Sequence, residues 1–179
     1  MKRSILLSLV ACLIFPIAVF SQTSTVYVDY PANALWKATT DAATNWQTLN
    51  FDHSSWGQAI PVSSIEFPPR IIAPNSRSSS TSYFRGELNF TYERLAQVKR
   101  VLIMIEANTC FDLFFNGRHC GEDTEWPNGP LKAYDVTDLF NSSGKNVIAV
   151  KGWVINSTQP SIYCVLRIEF SEDAIERPN

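Results

Sequence analysis

Residues 162–170 alternate: Ile162, Cys164, Leu166, Ile168 and Phe170 fall on one side, with Arg167 and Glu169 on the other. A side-chain period of two belongs to an extended strand with one buried face, so this segment must pair with others in a sheet. Four more stretches, 83–92, 98–107, 110–115 and 146–154, are rich in β-branched and aromatic residues and read as strands. Asn116-Gly117 separates Phe115 from Arg118-His119-Cys120, and this dipeptide tolerates positive φ at both central positions of a two-residue hairpin turn. Little of the chain has a helical period; the interval 131–140 has room for one short turn, capped by Asp135 or Thr137. Two intervals read as loops: 65–82, with three prolines and a serine-rich patch, and the acidic 121–130. Short strands with this punctuation predict an all-β, antiparallel two-sheet sandwich of about eight or more strands.

The N-terminus sets the compartment. Lys2 and Arg3 precede an apolar stretch over 5–20, broken by Pro16, and Val19 and Ser21 are small enough to precede a cleavage site. The stretch falls short of the ~20 apolar residues of a membrane span. The expectation is a signal peptide over 1–21, and then a single secreted, extracellular β-sandwich domain over 22–179 with its core at about 36–170. No later segment is apolar enough to span a bilayer, and the tail 171–179 is polar. Removal of residues 1–21 leaves 13 basic against 17 acidic residues and no basic cluster. Nucleic acid is therefore excluded as a partner, because phosphate binding needs concentrated Lys and Arg. Sequons stand at Asn89, Asn141 and Asn156, which are glycosylation sites if the source is eukaryotic.

Cys110, Cys120 and Cys164 survive maturation, and an oxidising compartment leads one to expect one disulfide and one free thiol. With Asn116-Gly117 as a two-residue turn, Leu113 faces Cys120, which then points inward with the apolar row Phe111, Leu113 and Phe115. Cys164 points inward by its own strand's alternation, and Cys110 falls on the opposite face with Asp112. The favoured pair is Cys120–Cys164. Two reduced neighbours fit the same pattern, since a bridge needs Cα atoms within ~7 Å.

Five motifs follow one another in a particular order. They are Phe51-Asp52-His53-Ser54-Ser55-Trp56, Tyr83-Phe84-Arg85-Gly86-Glu87-Leu88, Phe111 through Gly117, Tyr134-Asp135-Val136-Thr137-Asp138-Leu139, and Gly144 through Val150. The series resembles the galactose-binding-like jelly-roll domains that accompany glycoside hydrolases, notably the accessory carbohydrate-binding domains of α-L-rhamnosidases and of the β-galactosidase group. The resemblance covers about residues 36–170 and implies a galactose-binding-domain-like sandwich. It implies a lectin-like module more than an enzyme, because these motifs build the scaffold. The chain ends soon after the last strand, so the module is expected to act on its own.

The residues agree with a binding role. There is no Gly-x-Ser-x-Gly elbow, no His-Glu-x-x-His and no phosphate-cradling glycine loop. Glu122, Asp123 and Glu125 lie in one loop, whereas glycoside hydrolysis needs two carboxyls held at a defined separation on rigid elements. The same oxygens suit a structural calcium, which sandwiches of the resembled kind often hold. His119, beside the hairpin turn, reads as an ordinary strand residue. Of the five tryptophans, Trp153 and Trp56 read as core, and the pattern leaves Trp36 and Trp46 undecided. Trp126 stands among polar residues and has the least reason to be buried. A sugar offers an apolar C–H face and a rim of hydroxyls, so a site needs a flat aromatic bordered by amides and carboxylates. Trp126 with Glu122, Asp123, Glu125 and Asn128 supplies that set, and in the resembled domains the same interval also carries a tryptophan. The expected partner is an extracellular glycan or glycoprotein. A protein-interaction or structural role for the same sandwich is the alternative.

Overall fold

The computed structural model describes residues 26–31, 36–62, 70–74, 79–90, 98–125, 130–142, 144–154 and 159–170; residues 1–21, Trp126, Asn128 and Asn156 lie outside them. The first half of the chain holds β1 (Val26–Pro31), β2 (Trp36–Thr39), β3 (Gly57–Gln58), β4 (Ile60–Pro61), β5 (Ile71–Ile72) and β6 (Thr81–Asn89). The second holds β7 (Val98–Ala107), β8 (Cys110–Phe115), β9 (Arg118–Asp123), β10 (Lys132–Asp135), β11 (Lys145–Trp153) and β12 (Ser161–Phe170). One sheet has the order β10-β7-β12-β5-β4, with β1 also paired to β12; the other has the order β3-β2-β6-β11-β8-β9. Every pairing is antiparallel. From β6 onward the chain crosses repeatedly between the sheets, as in a jelly roll. No helix among the described residues is long and apolar enough to cross a membrane.

The five expected strands are present, and the short turn at 131–140 is a single 3-10 turn, Thr137–Leu139, with the Asp135 carboxylate accepting the Thr137 N–H at 3.1 Å. Part of the expected loop at 65–82 is strand instead. Ile71 and Ala73 are buried because β5 pairs with Ser161 and Ile162 of β12 across the chain. Between the sheets, Phe84, Phe111, Leu113, Phe115, Ile148 and Val150 meet Val101, Ile103, Ile105, Ile162, Leu166 and Ile168. Each such side chain contributes about 1.5–3 kcal/mol by leaving water. Trp36 belongs to this core, and it lies so close over Gly86 that a Cβ there would stand 2.8 Å from its ring.

The turn of the β8–β9 hairpin has φ of 51° at Asn116 and 85° at Gly117, as the dipeptide predicts. Asn116 also has a second role. Its carboxamide donates to Leu139 O at 2.8 Å and to Asn146 Oδ1 at 2.9 Å, and accepts the Val147 N–H at 2.7 Å. Asn146, fully buried, accepts the Asn141 N–H and donates to Asn141 O and Gly144 O. Three motifs distant in sequence thus close on one another through two amides.

The outer face of the β2–β6–β11–β8 sheet carries a second apolar cluster. Residues 41–56 form no strand, yet they place Trp46 and Trp56 on Val147 and Ala149, with Leu49, Phe51, Tyr83 and Phe114 around them. Beneath this cover lies Arg85, with no exposed surface. Its guanidinium donates to Trp46 O at 3.0 Å, Leu49 O at 3.4 Å, Glu87 Oε1 at 3.1 Å and His53 Nδ1 at 3.4 Å. Glu87 Oε1 also accepts from Lys145 Nζ at 2.7 Å. Partial burial pushes the Glu87 carboxyl upward, but the bond from Lys145, the charges of His53 and Lys145, and the bond from Arg85 outweigh it and hold the carboxyl below its ordinary value.

Two predictions follow from these contacts. Asn146→Ala leaves the Asn116 amide and two loop carbonyls short of partners, and should lower the unfolding free energy in urea by about 2–3 kcal/mol. A carboxylate with a depressed pKa stabilises the fold above its unfolded pKa, and this contribution is lost as pH falls through the folded value. Glu87→Gln should therefore lower the melting temperature at neutral pH, and the gap to wild type should close as pH falls to about 3. A gap independent of pH would show that the Glu87 charge contributes nothing.

Candidate functional site

The chain leaves the hairpin along β9, an edge strand, and the ladder slips there. Leu113 pairs with Gly121 and Phe114 with His119, so Cys120 is the extra residue of a bulge. The two-residue turn therefore does not carry its register as far as Cys120; Leu113 faces Gly121. Cys120 still packs against the core, and its thiol lies 3.6 Å from Leu113 O. Cys110, Cys120 and Cys164 are free thiols, and the predicted Cys120–Cys164 bridge is not formed. The bulge takes Cys120 out of the register opposite Leu113 on which that pairing rested, and its thiol is directed at the Leu113 carbonyl instead. Cys110 is buried as well. Burial pushes the Cys120 thiol up to about 11 and that of Cys164 higher still, so both stay protonated near neutral pH.

Beyond the bulge, successive residues of β9 point to opposite sides. Asp123 is buried, bonded to Lys132 Nζ at 3.1 Å and to the Glu125 N–H at 3.0 Å. The bond to Asp123 raises the Lys132 ammonium above its ordinary value. Tyr134 fills the space over Gly121, where any side chain would run into its ring, and its hydroxyl donates to Glu122 O at 2.8 Å. Burial raises the Tyr134 phenol. Lys132 and Tyr134, both on β10, fasten the edge of one sheet to the edge of the other. Neither was expected at the site, although their two-residue spacing in Lys132-Ala133-Tyr134-Asp135 is the signal of a strand.

The expected ligand set is divided by this arrangement. Asp123 is a structural residue, withdrawn from solvent by its ion pair. Glu122 turns to the outer face of the sheet, 3.9 Å from His119 Nε2. Glu125 is exposed beside the segment that carries Trp126 and Asn128, as are Thr124, Pro130 and Leu131. Among the described residues, Glu122, Asp123 and Glu125 do not form a group of converging ligand atoms.

Trp36, Trp46 and Trp56 are buried. Trp153, expected in the core, is half-buried at the end of β11, and the Lys151 ammonium lies 5.4 Å above its ring. No described tryptophan is therefore an exposed stacking platform. Of the sequon asparagines, Asn89 and Asn141 are exposed. An open depression of about 580 Å³ over the 3-10 turn is lined by Lys99, Arg100, Arg118, Asp135 and Asp138, with Arg100 Nε donating to Asp135 Oδ2 at 2.8 Å. None of the expected site residues lines it.

No protein-family model matches the chain, and no curated protein does. Solved structures do match. A β-glucuronidase of Bacteroides uniformis superposes with a TM-score of 0.59 at 15% identity, over 80% of this chain and 18% of that one. A glycosyl hydrolase family 2 member from Bacteroides cellulosilyticus DSM 14838 gives 0.59 at 18% identity, over 79% and 20%. The Lactobacillus rhamnosus β-glucuronidase gives 0.53 at 14% identity, over 82% and 29%. The chain spans less than a third of each of these proteins, and such low identities carry the fold and not the activity. These neighbours are two β-glucuronidases and a family 2 glycosyl hydrolase, which supports the β-sandwich of glycoside hydrolases and not a rhamnosidase-like domain in particular. The chain has the two-sheet β-sandwich fold that occurs within glycoside hydrolases.

Proposed function

We propose that this chain is a secreted, non-catalytic carbohydrate-binding module, taking an extracellular glycan at the β9–β10 edge. The observation that carries the reading is the fastening of segment 124–131 at both ends. The Asp123–Lys132 ion pair and the Tyr134–Glu122 bond tie its two flanks together, while Thr124, Glu125, Pro130 and Leu131 stay exposed. A binding loop held on a rigid frame loses little entropy when it takes a ligand. Trp126 is the stacking surface in this reading, with Glu125 and Asn128 as partners for hydroxyls, and no cofactor is needed. The other tryptophans are committed to packing or covered, and the fold occurs in enzymes that act on glycosides; both facts support the reading.

A glycan array probed with the purified chain and with Trp126→Ala tests it. Losing a stacked aromatic costs on the order of 1–3 kcal/mol, so affinity should drop about ten- to a hundredfold while the melting temperature stays nearly unchanged. No bound glycan with the wild-type chain, or unfolding of the variant, would favour a protein-interaction or structural role for the sandwich.

A further inference from the structure

We propose that Asp112, His119 and Glu122 form a binding site for one divalent transition-metal ion, zinc foremost, on the outer face of the β8–β9 hairpin. The site depends on the bulge. In a regular ladder, residues 119 and 122 of one strand face opposite ways; the extra residue at Cys120 restores them to the same face, beside Asp112. Asp112 and Glu122 then stand directly across from each other, and like charges so placed repel unless something positive joins them. Lys151, which faces Asp112 from β11, does not serve: its ammonium lies over the Trp153 ring, and no ion pair among the described residues links it to Asp112.

His119 is aimed at the pair. Its Nε2 lies 3.7 Å from Asp112 Oδ1 and 3.9 Å from Glu122 Oε2, and its ring stands edge-on to Phe114, centroids 5.2 Å apart. One donor atom from each of the three residues lies within 4.8 Å of the other two. A tetrahedral zinc with bonds of about 2.0–2.2 Å holds its ligands about 3.3–3.6 Å apart. Side-chain rotation of the exposed Glu122 and His119 spans the difference. One imidazole with two carboxylates suits zinc and its transition-metal neighbours, whereas calcium prefers oxygen alone. The exposed side of the site leaves a position for water or a ligand from a partner.

The test uses the full chain, stripped with a chelator and titrated with zinc chloride in a calorimeter and in a melting assay. The expected result is one zinc per chain and a rise in melting temperature. His119→Gln and the isosteric Asp112→Asn should each weaken zinc binding at least tenfold, with metal-free melting temperatures no lower than wild type. Trp126→Ala should bind zinc as wild type does, which separates this site from the glycan reading. Absence of saturable zinc binding, or zinc held equally well by both site variants, as thiols or His53 would hold it, overturns the proposal.

Discussion

Arg85 sits at the centre of the covered sheet with its charge sealed from water, and most of the architecture of that face answers to it. A buried ion costs several kcal/mol unless hydrogen bonds surround it. Here the partners are two backbone carbonyls of the 41–56 segment, a carboxylate on its own strand and an imidazole. The Phe51 ring lies 5.8 Å from the guanidinium carbon. This accounts for how a segment without a strand of its own holds a fixed path. Its carbonyls are needed where they are, and once they are there, Trp46 and Trp56 cover Val147 and Ala149. Apolar packing alone would cover the sheet as well with the segment in several positions; the fork of the guanidinium selects one.

One face of this sheet is turned to the core and much of the other is covered, so the sheet's exposed surface lies mainly at its edges. At the β9–β10 edge the same economy recurs. One buried carboxylate, one lysine and one phenol close the sandwich and tie β9 to β10. The Asn116–Asn146 pair performs the matching task at the far end of the hairpin, joining the turn to the start of β11. Both hairpin ends are therefore anchored to neighbouring strands, and the side chains Asp112, His119 and Glu122 stand on its outer face between those anchors.

The long strands were legible because their period of two is local: the alternation of β12 and the Asn116-Gly117 turn need no knowledge of the rest of the chain. The order of motifs carried the two-sheet sandwich for the same reason, as each motif builds a turn, a corner or a core strand. What was not legible depends on partners far away in sequence. β5 is two residues among prolines and becomes a strand only through β12. The bulge at Cys120 reverses the inward and outward assignment of everything after it, so Asp123 went to the core edge and Glu122 to the outer face, while the sequence alone placed both in one acidic loop. Gly121 read as a loop residue, yet it is the gap that receives Tyr134. Arg85 was visible as part of a motif, but nothing local says that a loop more than thirty residues earlier would close over it.

If the buried guanidinium fixes the 41–56 cover, hydrogen–deuterium exchange of Arg85→Met will reveal it. Methionine fills most of the same volume without the donors. The informative amides are those of Thr48, Phe51 and Trp56, which bond within the cover, compared with the amides of β7 and β12 in the opposite sheet. Exchange in the cover is expected to accelerate by at least tenfold more than exchange in β7 and β12. Equal acceleration in both regions, or protection of the cover unchanged from wild type, would contradict it.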